Sequence, residues 1–560
     1  MSTPEKPWLQ SYDAGVTHEI DLTRYQSIND VFAQSVQKFA DKPAFENMGK
    51  ELTYAETAKL ATDFASYLQN ILKLPRGECI AIMLPNVLQY PIALFGILQA
   101  GMVAVNTNPL YTPRELEHQL KDSGATTIIV LENFANTLEM VLPRTDIKHV
   151  ITASIGEMFG AVKGRLTDFV IRKVKKMVPE YRIADTVTFQ TALKQGAAHR
   201  FNPVALSRDD TALLQYTGGT TGVAKGAVLS HGNICANMMQ GEEWIKNLLK
   251  PGEETVVAAL PLYHIFALTI NVMIFTSIGS KLLLITNPRD MKGFVNKLKK
   301  EKISIFAGVN TLFNALANRP DFAQVDFSHL KLTLGGGMAT QKAVAERWKA
   351  ITGTSIIEAY GLTEASPGVC CNPLSTDTYS RGIGLPVPST EVELRDADGK
   401  EVAQGEAGEM WVRGPQVMKG YWNRPEDTAK AIDKNDWLET GDIAVMDAQG
   451  FFKLVDRKKD LIVVSGFNVY PNEIEEVIAH NDKVLEVACI GVPNEKTGEA
   501  LKVFVVKKDP SLTAEELTAF CRTELTGYKV PKDIEFRDEL PKSNVGKILR
   551  RELRNEVKSK

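Results

Sequence analysis

The stretch CIAIMLPNVLQYPIALFGIL, residues 79–98, indicates the fold class of this chain. Its first part, Cys79–Met83, is an uninterrupted apolar run typical of a strand buried on both faces. The part that follows, Val87–Leu98, has the length and composition of a buried helix. Further strand-like runs occur at 126–131, 256–260 and 281–285, and helix-like segments separate such runs up to about residue 360. This alternation predicts an α/β protein with a large N-terminal domain of parallel sheets covered by helices.

The pattern changes after residue 390. Glu391–Arg395 and Gly408–Arg413 are short alternating strands with turns, which predict a small antiparallel, barrel-like subdomain. The last part of the chain contains elements in the order helix, strand, strand, helix, at 471–480, 487–492, 502–506 and 512–525. These elements predict a compact α+β C-terminal domain. We place the boundary in the charge-rich segment before them, so that residues 1–456 form the N-terminal domain and 457–560 the C-terminal domain.

Composition excludes several classes of protein. The chain has 560 residues, of which 44% are hydrophobic and 24% charged, and its formal net charge is -3, so nucleic acid is not expected as a partner. Six cysteines without a C-x-x-C pair argue against a zinc site or a disulfide framework and favour a reducing, cytoplasmic location. No signal peptide is recognisable at the N-terminus. The longest apolar run, 91–105, is shorter than the roughly 20 residues that cross a bilayer.

The glycine-rich stretch YTGGTTGVAKG, residues 216–226, predicts a phosphate-binding loop. Glycines let backbone N–H groups wrap a polyanion, threonine hydroxyls add donors, and Lys225 adds a positive charge. The spacing of glycines before Lys225 is not that of a Walker loop. Taken alone, the stretch is also compatible with a solvent-exposed turn between strands.

The same loop resembles the phosphate loop of the adenylate-forming superfamily, which includes acyl-CoA synthetases, luciferases and the adenylation domains of peptide synthetases. Further motifs follow in the superfamily's order: AYGLTE at 359–364, TGD at 440–442, DRKKD at 456–460 and PKSNVGK at 541–547. Residues 262–268 and 435–459 are especially similar to bacterial long-chain fatty-acid–CoA ligases. The resemblance covers most of the chain. It implies ATP-dependent ligation of a long-chain fatty acid to coenzyme A through an acyl-adenylate, giving acyl-CoA, AMP and pyrophosphate.

The resemblance also implies an ATP site made of Tyr216, Thr217, Gly218, Gly219, Thr220, Thr221, Gly222, Lys225, Tyr360, Glu364, Asp442 and Arg457. Tyr360 would stack on adenine, and Asp442, supported by Arg457, would accept hydrogen bonds from the ribose hydroxyls. Glu364 and Thr217 would hold Mg²⁺ through oxygen ligands. Plainer interpretations remain open. Tyr360 could be a core aromatic, Asp442 and Arg457 a surface ion pair near the hinge, and Glu364 an acidic residue at a helix start.

Three residues are implied to be catalytic. Lys547 would reach the α-phosphate and the acyl carboxylate, Thr363 would hydrogen-bond the α-phosphate, and His264 would lie near the reacting carboxylate and thioester. Without the resemblance, these residues are a surface lysine, a helix cap and a core histidine.

The transfer to coenzyme A involves a second set of residues in the resembling family. Lys459, Ser465 and Gly466 are expected near the thioester site. Family members rotate a mobile C-terminal domain about the hinge, here 456–460, between the two half-reactions.

The identity of the acid rests on the resemblance alone. Gly308–Leu316 and Gly335–Gly337 either line an acyl tunnel or belong to ordinary packing. A ligase for a medium-chain or aryl acid, a ligase that loads a carrier protein, and a non-catalytic binding protein are the alternatives. The expected partners are a fatty acid, ATP and coenzyme A, and a homodimer is left open.

The segment 163–178 is strongly basic in a chain of negative net charge. It contains six Lys or Arg residues and one Asp, and it has apolar residues at helical spacing: Leu166, Phe169, Val170, Val174 and Met177. Such a helix either lies on an anionic membrane surface, so that a cytoplasmic enzyme would be peripherally associated with the inner face of the cell membrane, or packs its apolar stripe on the core.

Overall fold

The structure is a computed structural model that describes residues 6–217, 224–380, 382–465, 467–494, 496–543 and 546–559. These residues form four sheets with helices packed against them. The strands of the N-terminal domain are β1 (Pro43–Asn47), β2 (Lys50–Thr53), β3 (Cys79–Met83), β4 (Val103–Asn106), β5 (Thr127–Leu131), β6 (His149–Ala153), β7 (Val187–Thr188), β8 (Thr211–Thr217), β9 (Lys225–Ser230), β10 (Thr255–Ala258), β11 (Lys281–Leu284), β12 (Ile305–Gly308), β13 (Leu332–Gly335), β14 (Ile356–Gly361), β15 (Gly368–Cys371), β16 (Leu385–Pro386), β17 (Glu391–Arg395), β18 (Gly408–Arg413), β19 (Gly420–Tyr421), β20 (Leu438–Met446) and β21 (Phe452–Arg457).

The remaining strands are β22 (Ile462–Val464), β23 (Phe467–Val469), β24 (Val484–Asn494), β25 (Gly498–Lys507) and β26 (Asp533–Arg537). The helices are α1 (Ile28–Phe39), α2 (Tyr54–Ser66), α3 (Gln89–Gln99), α4 (Pro113–Ser123), α5 (Ala135–Val141), α6 (Ala161–Phe169), α7 (Phe189–Ala197), α8 (His231–Ile245), α9 (Ile265–Ala267), α10 (Phe275–Ser277), α11 (Met291–Leu298), α12 (Asn310–Ala317), α13 (Lys342–Thr352), α14 (Pro425–Ala431), α15 (Pro471–Ala479), α16 (Ala514–Glu524) and α17 (Arg550–Ser559). Short 3-10 or π-helical turns lie at Pro7–Ser11, Tyr67–Ile71, Glu132–Phe134, Leu142–Arg144, Val170–Val174, Leu268–Ile274, Phe322–Gln324, Thr363–Ala365 and Gly527–Lys529.

Two large sheets dominate the N-terminal domain, as the sequence predicts. One has the strand order β16-β15-β14-β13-β12-β10-β11-β1-β2, and the other β19-β9-β8-β4-β3-β5-β6-β7. Their central pairs, such as β12 with β13 and β3 with β5, are parallel. The predicted strand at 79–83 matches β3, and the predicted helix at 87–98 corresponds to α3 with its ends shifted by one or two residues.

Local sequence explains why these helices begin where they do. The α4 helix begins after Thr112, whose hydroxyl accepts from the backbone N–H of Glu115 while the Glu115 carboxylate accepts from the backbone N–H of Thr112, a reciprocal capping box. Pro113 occupies the first helical position, and Gly124 ends the helix in the left-handed conformation. Each apolar face then packs on a sheet.

The predicted antiparallel unit and C-terminal domain are both present. Strands β17, β18, β20 and β21 form a four-stranded antiparallel sheet, and β22 to β26 form a separate mixed sheet with its own apolar clusters. The first of these sheets ends at Arg457, and the second begins at Ile462. The intervening residues 458–461 carry no strand pairing, so the chain passes between the two units there.

The basic segment differs from its predicted helix. The α6 helix begins at Ala161 and ends at Phe169, a π-helical turn continues to Val174, and Lys176 has a positive φ that ends the run. The apolar side chains Leu166, Phe169, Val174 and Met177 are exposed, so the predicted alternative in which the stripe packs on the core is wrong for them. No helix in the described part of the chain is long and apolar enough to cross a membrane.

Candidate active site

The candidate site lies where the parallel strands β10, β12, β13 and β14 end. The carboxyl ends of parallel strands share one edge of an open α/β sheet, and ligands bind at that edge. A small cavity at this edge is lined by Leu260, His264, Phe266, Val309, Gly337, Met338 and Lys547. All of these residues except Lys547 belong to the large domain, so Lys547 is the one residue that the described part of the C-terminal domain contributes to the cavity.

Lys547 is held in place by a tight loop that rests on α12. Its backbone N–H donates to Ser543 Oγ at 3.1 Å, and its carbonyl accepts from the Ser543 N–H at 2.7 Å. The Thr311 hydroxyl donates to the Gly546 carbonyl at 3.2 Å, which fixes the loop on the large domain. Enclosure of the ammonium, together with the charge of Arg457, lowers the pKa of Lys547 to about 8.

His264 lies in the same cavity and is neutral near pH 7. Its Nδ1 accepts from the Phe266 N–H at 3.3 Å, which leaves the proton of the neutral ring on Nε2. Burial, and the positive charge of Lys547, lower the pKa of His264 to about 4. His264 shares this cavity with a lysine from the C-terminal domain, and its catalytic role stays a prediction.

A second group of side chains surrounds Asp442, on β20. Tyr360 donates its hydroxyl to Asp442 Oδ2 at 2.6 Å, and Arg457 Nε lies 3.1 Å from Asp442 Oδ1. Asp442 is only 5% exposed, whereas the Arg457 side chain is 37% exposed, so a buried carboxylate pairs with a guanidinium that reaches solvent. Burial and the neighbouring carboxylate hold the pKa of Tyr360 well above its usual range. The two carboxylate oxygens of Asp442 can exchange these partners for the vicinal hydroxyls of a ribose.

A third group surrounds Glu364, in the 3-10 turn that follows β14. Its Oε1 accepts from the Tyr421 hydroxyl at 2.8 Å. The Lys225 ammonium lies 5.1 Å from the centre of the Tyr421 ring and 3.0 Å from Asp427. Thr217 is the register partner of Lys225 across the β8–β9 pair. The alternative in which Thr363 caps a helix is not observed, because Leu362 occupies the capping position of this turn and makes no side-chain capping hydrogen bond.

Part of the predicted phosphate loop lies outside the described residues, namely Gly218, Gly219, Thr220, Thr221 and Gly222. Both ends of the loop are described. The loop joins the ends of two paired strands rather than a strand and a helix, which agrees with its difference from a Walker loop.

Tyr216 points away from the third group. Its hydroxyl donates to Asp122 at 2.7 Å, and Asp122 also accepts from Arg424. Successive side chains of a strand point to opposite faces, so Tyr216 faces away from Thr217. A contact between Tyr216 and ATP would therefore involve its backbone, and its assignment to the ATP site stays a prediction.

Of the residues predicted for the second half-reaction, Lys459 and Ser465 do not line the cavity in this arrangement. Ser465 is exposed at the tip of the β22–β23 hairpin, where its N–H donates to the Thr497 carbonyl at 2.7 Å. Gly466 lies outside the described residues. Lys459 follows β21 directly, and desolvation and the charge of Arg457 lower its pKa to about 8.

The donors available to a metal ion are hard oxygen atoms. Among the described residues, no group of three or more His, Cys, Asp or Glu side chains forms a metal cage. Glu364 offers one carboxylate and Thr217 one hydroxyl. Mg²⁺ is typically bound in enzymes by one or two carboxylates, with substrate phosphates and water completing the octahedron, so these donors fit it.

Several residues that contact the predicted site residues, or share a strand with them, were not predicted from the sequence. Thr311 holds the Lys547 loop, Tyr421 holds Glu364, and Asp427 pairs with Lys225. Burial raises the pKa of Glu358 to about 7, and its carboxylate accepts from the Thr340 N–H. Glu358 had a usable signal, since it precedes Tyr360 by two positions and so faces the same side of β14.

The two glycine segments divide between packing and cavity. A Cβ on Gly308 would meet the Phe313 ring at 2.7 Å, and Gly335 lies against the same ring, so both positions serve ordinary packing. Gly337 and Val309 line the cavity instead. The cavity is small, and an acyl tunnel along these segments stays a prediction.

Comparison with known proteins agrees with this geometry. The AMP-binding enzyme family matches residues 32–422, and the AMP-binding enzyme C-terminal domain matches residues 473–547. A long-chain-fatty-acid–CoA ligase of Yersinia pestis is 57% identical over 552 residues, covering 99% of this chain and 98% of that protein. The ligase of the same name from Bacillus subtilis is 37% identical, with 99% and 98% covered.

Solved structures share the fold over nearly the whole chain. An anthranilate CoA ligase in complex with anthranoyl-AMP has a TM-score of 0.85 at 26% identity, covering 96% of this chain and 99% of that one. ATP-bound MatB from Rhodopseudomonas palustris has a TM-score of 0.79 at 25% identity, with 95% and 99% covered. Both matched domains, the full-length relatives and the site at the sheet edge lead to one conclusion: this chain belongs to the AMP-binding enzyme family of adenylate-forming ligases.

Proposed function

We propose that this chain joins a long-chain fatty acid to coenzyme A in two steps, through an acyl-adenylate, for fatty-acid degradation and lipid metabolism. The observation that carries the proposal is the position of Lys547, which the C-terminal domain inserts beside His264 and close enough to the Asp442–Arg457 pair to be affected by their charges. A cation enclosed at the edge of a sheet, between a carboxylate that suits a ribose and a neutral imidazole, is suited to adenylation.

In the first step, a carboxylate oxygen of the acid attacks the α-phosphorus of ATP, and pyrophosphate leaves. Both reactants are anions, so the reaction needs positive charge and fixed donors where negative charge accumulates. Lys547 supplies the charge, Thr363 donates to the α-phosphate, and the Nε2–H of His264 is available to the acyl carboxylate. Since His264 is neutral, it adds no charge of its own to the cavity.

The nucleotide is oriented by groups on either side of this centre. Asp442, supported by Arg457, accepts from the ribose, and Tyr360 packs against the base. The phosphates lie along the loop 216–225, with Lys225 released from Asp427 to meet them. Mg²⁺ held by Glu364 and Thr217 would neutralise part of the polyphosphate charge.

In the second step, the thiolate of coenzyme A attacks the acyl carbonyl carbon, and AMP leaves with the electrons of the acyl–oxygen bond. The proposal assigns Lys459, Ser465 and Gly466 to this step, which requires the C-terminal domain, residues 457–560, to turn about the hinge relative to residues 1–456. The thiol gives its proton to solvent before the attack, since the thiolate is the nucleophile.

The substrate class is supported by relatives of high identity and full length. The chain would meet its long-chain acid in the cytoplasm or at the inner face of the membrane, and we include a peripheral contact with anionic lipid in the proposal. Pairing of two copies as a homodimer is tested by sedimentation of the purified chain. A more distant relative, 34% identical, is a feruloyl-CoA synthase, so an aryl acid is the alternative substrate.

Pyrophosphate release, measured with and without coenzyme A over a series of acids, tests the proposal. We expect acid-dependent release, acyl-CoA as product, and the highest kcat/KM for long-chain acids. Preference for an aryl or a medium-chain acid would contradict the substrate class, and release without acyl-CoA formation would favour transfer to a carrier protein. No release with any acid would exclude an adenylating enzyme.

A further inference from the structure

The segment 161–177 has two faces of opposite character. Its inner face is fixed on the large domain through Gly164, Asp168 and Ile171, which are spaced like one side of a helix. Asp168 accepts from Ser154 Oγ and from the Gly156 N–H, both at 2.8 Å. A Cβ on Gly164 would meet the Gly156 carbonyl at 2.4 Å, so the backbones are in close contact. The helix is therefore anchored, and its outer face keeps one orientation.

The outer face carries large apolar side chains in water. Val162, Leu166 and Phe169 are spaced at i, i+4 and i+7, opposite the anchored side, and are 84%, 63% and 58% exposed. Val174 and Met177 extend the exposed apolar surface beyond the helix. Single exposed apolar residues are ordinary on protein surfaces, but a contiguous group with a polar rim marks an interaction site.

Basic side chains surround these apolar groups. Arg165, Lys173, Lys175 and Lys176 are exposed. Two further cations are engaged elsewhere, since Lys163 donates to the Met48 carbonyl at 2.7 Å and Arg172 forms a bidentate pair with the buried Glu132. The one acid of the segment, Asp168, is turned inward and hydrogen-bonded. The outer face therefore presents positive charge and apolar surface together.

The combination of positive charge and apolar surface indicates which kind of partner can cover the outer face. A second copy of the same face would bring two positive surfaces together, which is electrostatically unfavourable. An apolar partner protein would leave the cations without counter-charges. A bilayer with anionic headgroups satisfies both components, because the apolar side chains reach the acyl boundary while lysine and arginine remain at the headgroups.

We propose that the outer face of residues 161–177, with Val162, Leu166 and Phe169 at its centre, is the surface by which this protein docks on anionic lipid bilayers. This deepens the membrane contact proposed above by assigning it to particular residues. The docked helix lies in the plane of the interface and spans no part of the bilayer. The docking surface is also suited to the substrate, since long-chain acids partition into membranes.

The test is co-sedimentation of the full chain with vesicles of phosphatidylcholine alone and with vesicles that also contain phosphatidylglycerol, without ATP, acid or coenzyme A. We expect binding only to the anionic vesicles, weakened by salt. The variant Arg165→Gln/Lys173→Gln/Lys175→Gln/Lys176→Gln should bind on the order of 10²- to 10³-fold more weakly, because each basic residue near an anionic surface contributes to binding. Arg172 is left unchanged, since its loss would leave Glu132 buried and unpaired.

A matched control removes the same number of charges elsewhere. The variant Lys250→Gln/Lys292→Gln/Lys300→Gln/Lys302→Gln changes exposed lysines outside this segment and should bind anionic vesicles as wild type does. Equal losses in the two charge variants would overturn the proposal, because binding would then depend on total charge alone. Wild-type binding by the first variant would overturn it as well.

A second variant tests the apolar component. Leu166→Ser/Phe169→Ser changes only exposed side chains and should weaken binding by about tenfold or more, with little change in salt dependence. Unchanged vesicle binding together with the loss of a dimer in sedimentation would assign the face to a second copy and overturn the proposal. Vesicle binding is measured without catalysis. A failure to bind vesicles would therefore not contradict the proposed ligase activity, and a loss of ligase activity would not contradict membrane docking.

Discussion

Two loops of the C-terminal domain differ sharply in their surroundings. The Lys547 loop rests on α12 through Thr311 and inserts its lysine into the cavity that contains His264. The hairpin that contains Ser465 lies exposed, and its neighbour Phe467 is 56% exposed while stacking on Tyr528. Members of the adenylate-forming superfamily use both loops, one in each half-reaction. We infer that the observed arrangement serves adenylation and that thioester formation requires the other loop to replace the first.

The largest expected effect comes from removing the engaged lysine. Lys547→Ala should lower the rate of acyl-adenylate formation by on the order of 10²-fold or more, because it removes a fixed positive charge from the reacting phosphate. Thioester formation from preformed acyl-adenylate should fall much less. Single-turnover assays of the two half-reactions measure both rates.

A lysine of the same loop provides the control. Lys542 pairs with Glu486 at 2.7 Å and lines no part of the cavity. Lys542→Ala should leave both half-reactions near wild type. Equal losses of both half-reactions in Lys547→Ala would indicate that the substitution unfolds the domain, which would remove the basis of the comparison.

A smaller loss is expected when the contact between the loop and α12 is disturbed. Gly546 has a φ of +81°, and a Cβ there would meet Thr311 Oγ1 at 2.5 Å. Gly546→Ala should therefore lower adenylation about tenfold, since a non-glycine residue in this conformation costs about 1–3 kcal/mol before the contact is counted. The CoA step should be nearly unchanged. Gly527→Ala, where nothing lies within 4 Å, is the control and should leave both steps intact.

The pH dependence of adenylation should report the lowered pKa of Lys547. The pKa is about 8, and rising pH removes the charge that attracts the two anions, so kcat/KM for adenylation should fall above about pH 8. Arginine stays charged throughout this range, and Lys547→Arg should therefore lack the decline, whatever its absolute rate. An alkaline decline that persists in Lys547→Arg would assign it to another group.

The smallest expected effect concerns Arg457. The charge of Arg457 contributes to the lowered pKa of Lys547, so Arg457→Gln should move the alkaline decline in adenylation to higher pH. The same variant should raise the KM for ATP a few-fold, on the order of the loss of one charge pair, because it breaks the pair with Asp442. Lys458→Gln is the matched control, because the Lys458 ammonium pairs instead with Glu409. A decline that shifts equally in both variants would argue against a specific effect of Arg457.

Local elements were predictable from the sequence, and their long-range arrangement was not. The apolar run of β3 was found at its observed bounds because burial on both faces leaves a continuous apolar signal. The pairing of β1 with β11, Phe45 opposite Leu282, leaves no such signal, because it joins segments that are far apart in the chain. The order of strands in both large sheets therefore had to come from the structure.

The candidate site was predictable only as a set of motifs. Resemblance named Asp442, Arg457 and Lys547, which the structure brings together. The present partners of Tyr216 and Lys225 could not be predicted from the sequence. Tyr216 faces Asp122, and Lys225 pairs with Asp427, because these contacts depend on which face of a strand meets which loop. The exposure of the α6 stripe was likewise undecidable, since helical periodicity is the same for a stripe that faces the core or water.

We infer that the observed arrangement of the two domains supports adenylation and excludes transfer to coenzyme A. It can be tested by fixing the arrangement at a second contact, where Asn314 Nδ2 on α12 lies 3.5 Å from the Leu485 carbonyl in the C-terminal domain. The variant Asn314→Cys/Leu485→Cys, joined by a short reversible thiol cross-linker, holds the two domains together. The six native cysteines are buried, and each single-cysteine variant controls for modification alone.

The deciding measurement is the pair of half-reaction rates in the cross-linked double variant. We expect acid-dependent ATP–pyrophosphate exchange to continue near its rate before cross-linking, acyl transfer to coenzyme A to be lost, and reversal of the cross-link to restore the transfer. Transfer to coenzyme A at an undiminished rate while the domains are joined would contradict this inference.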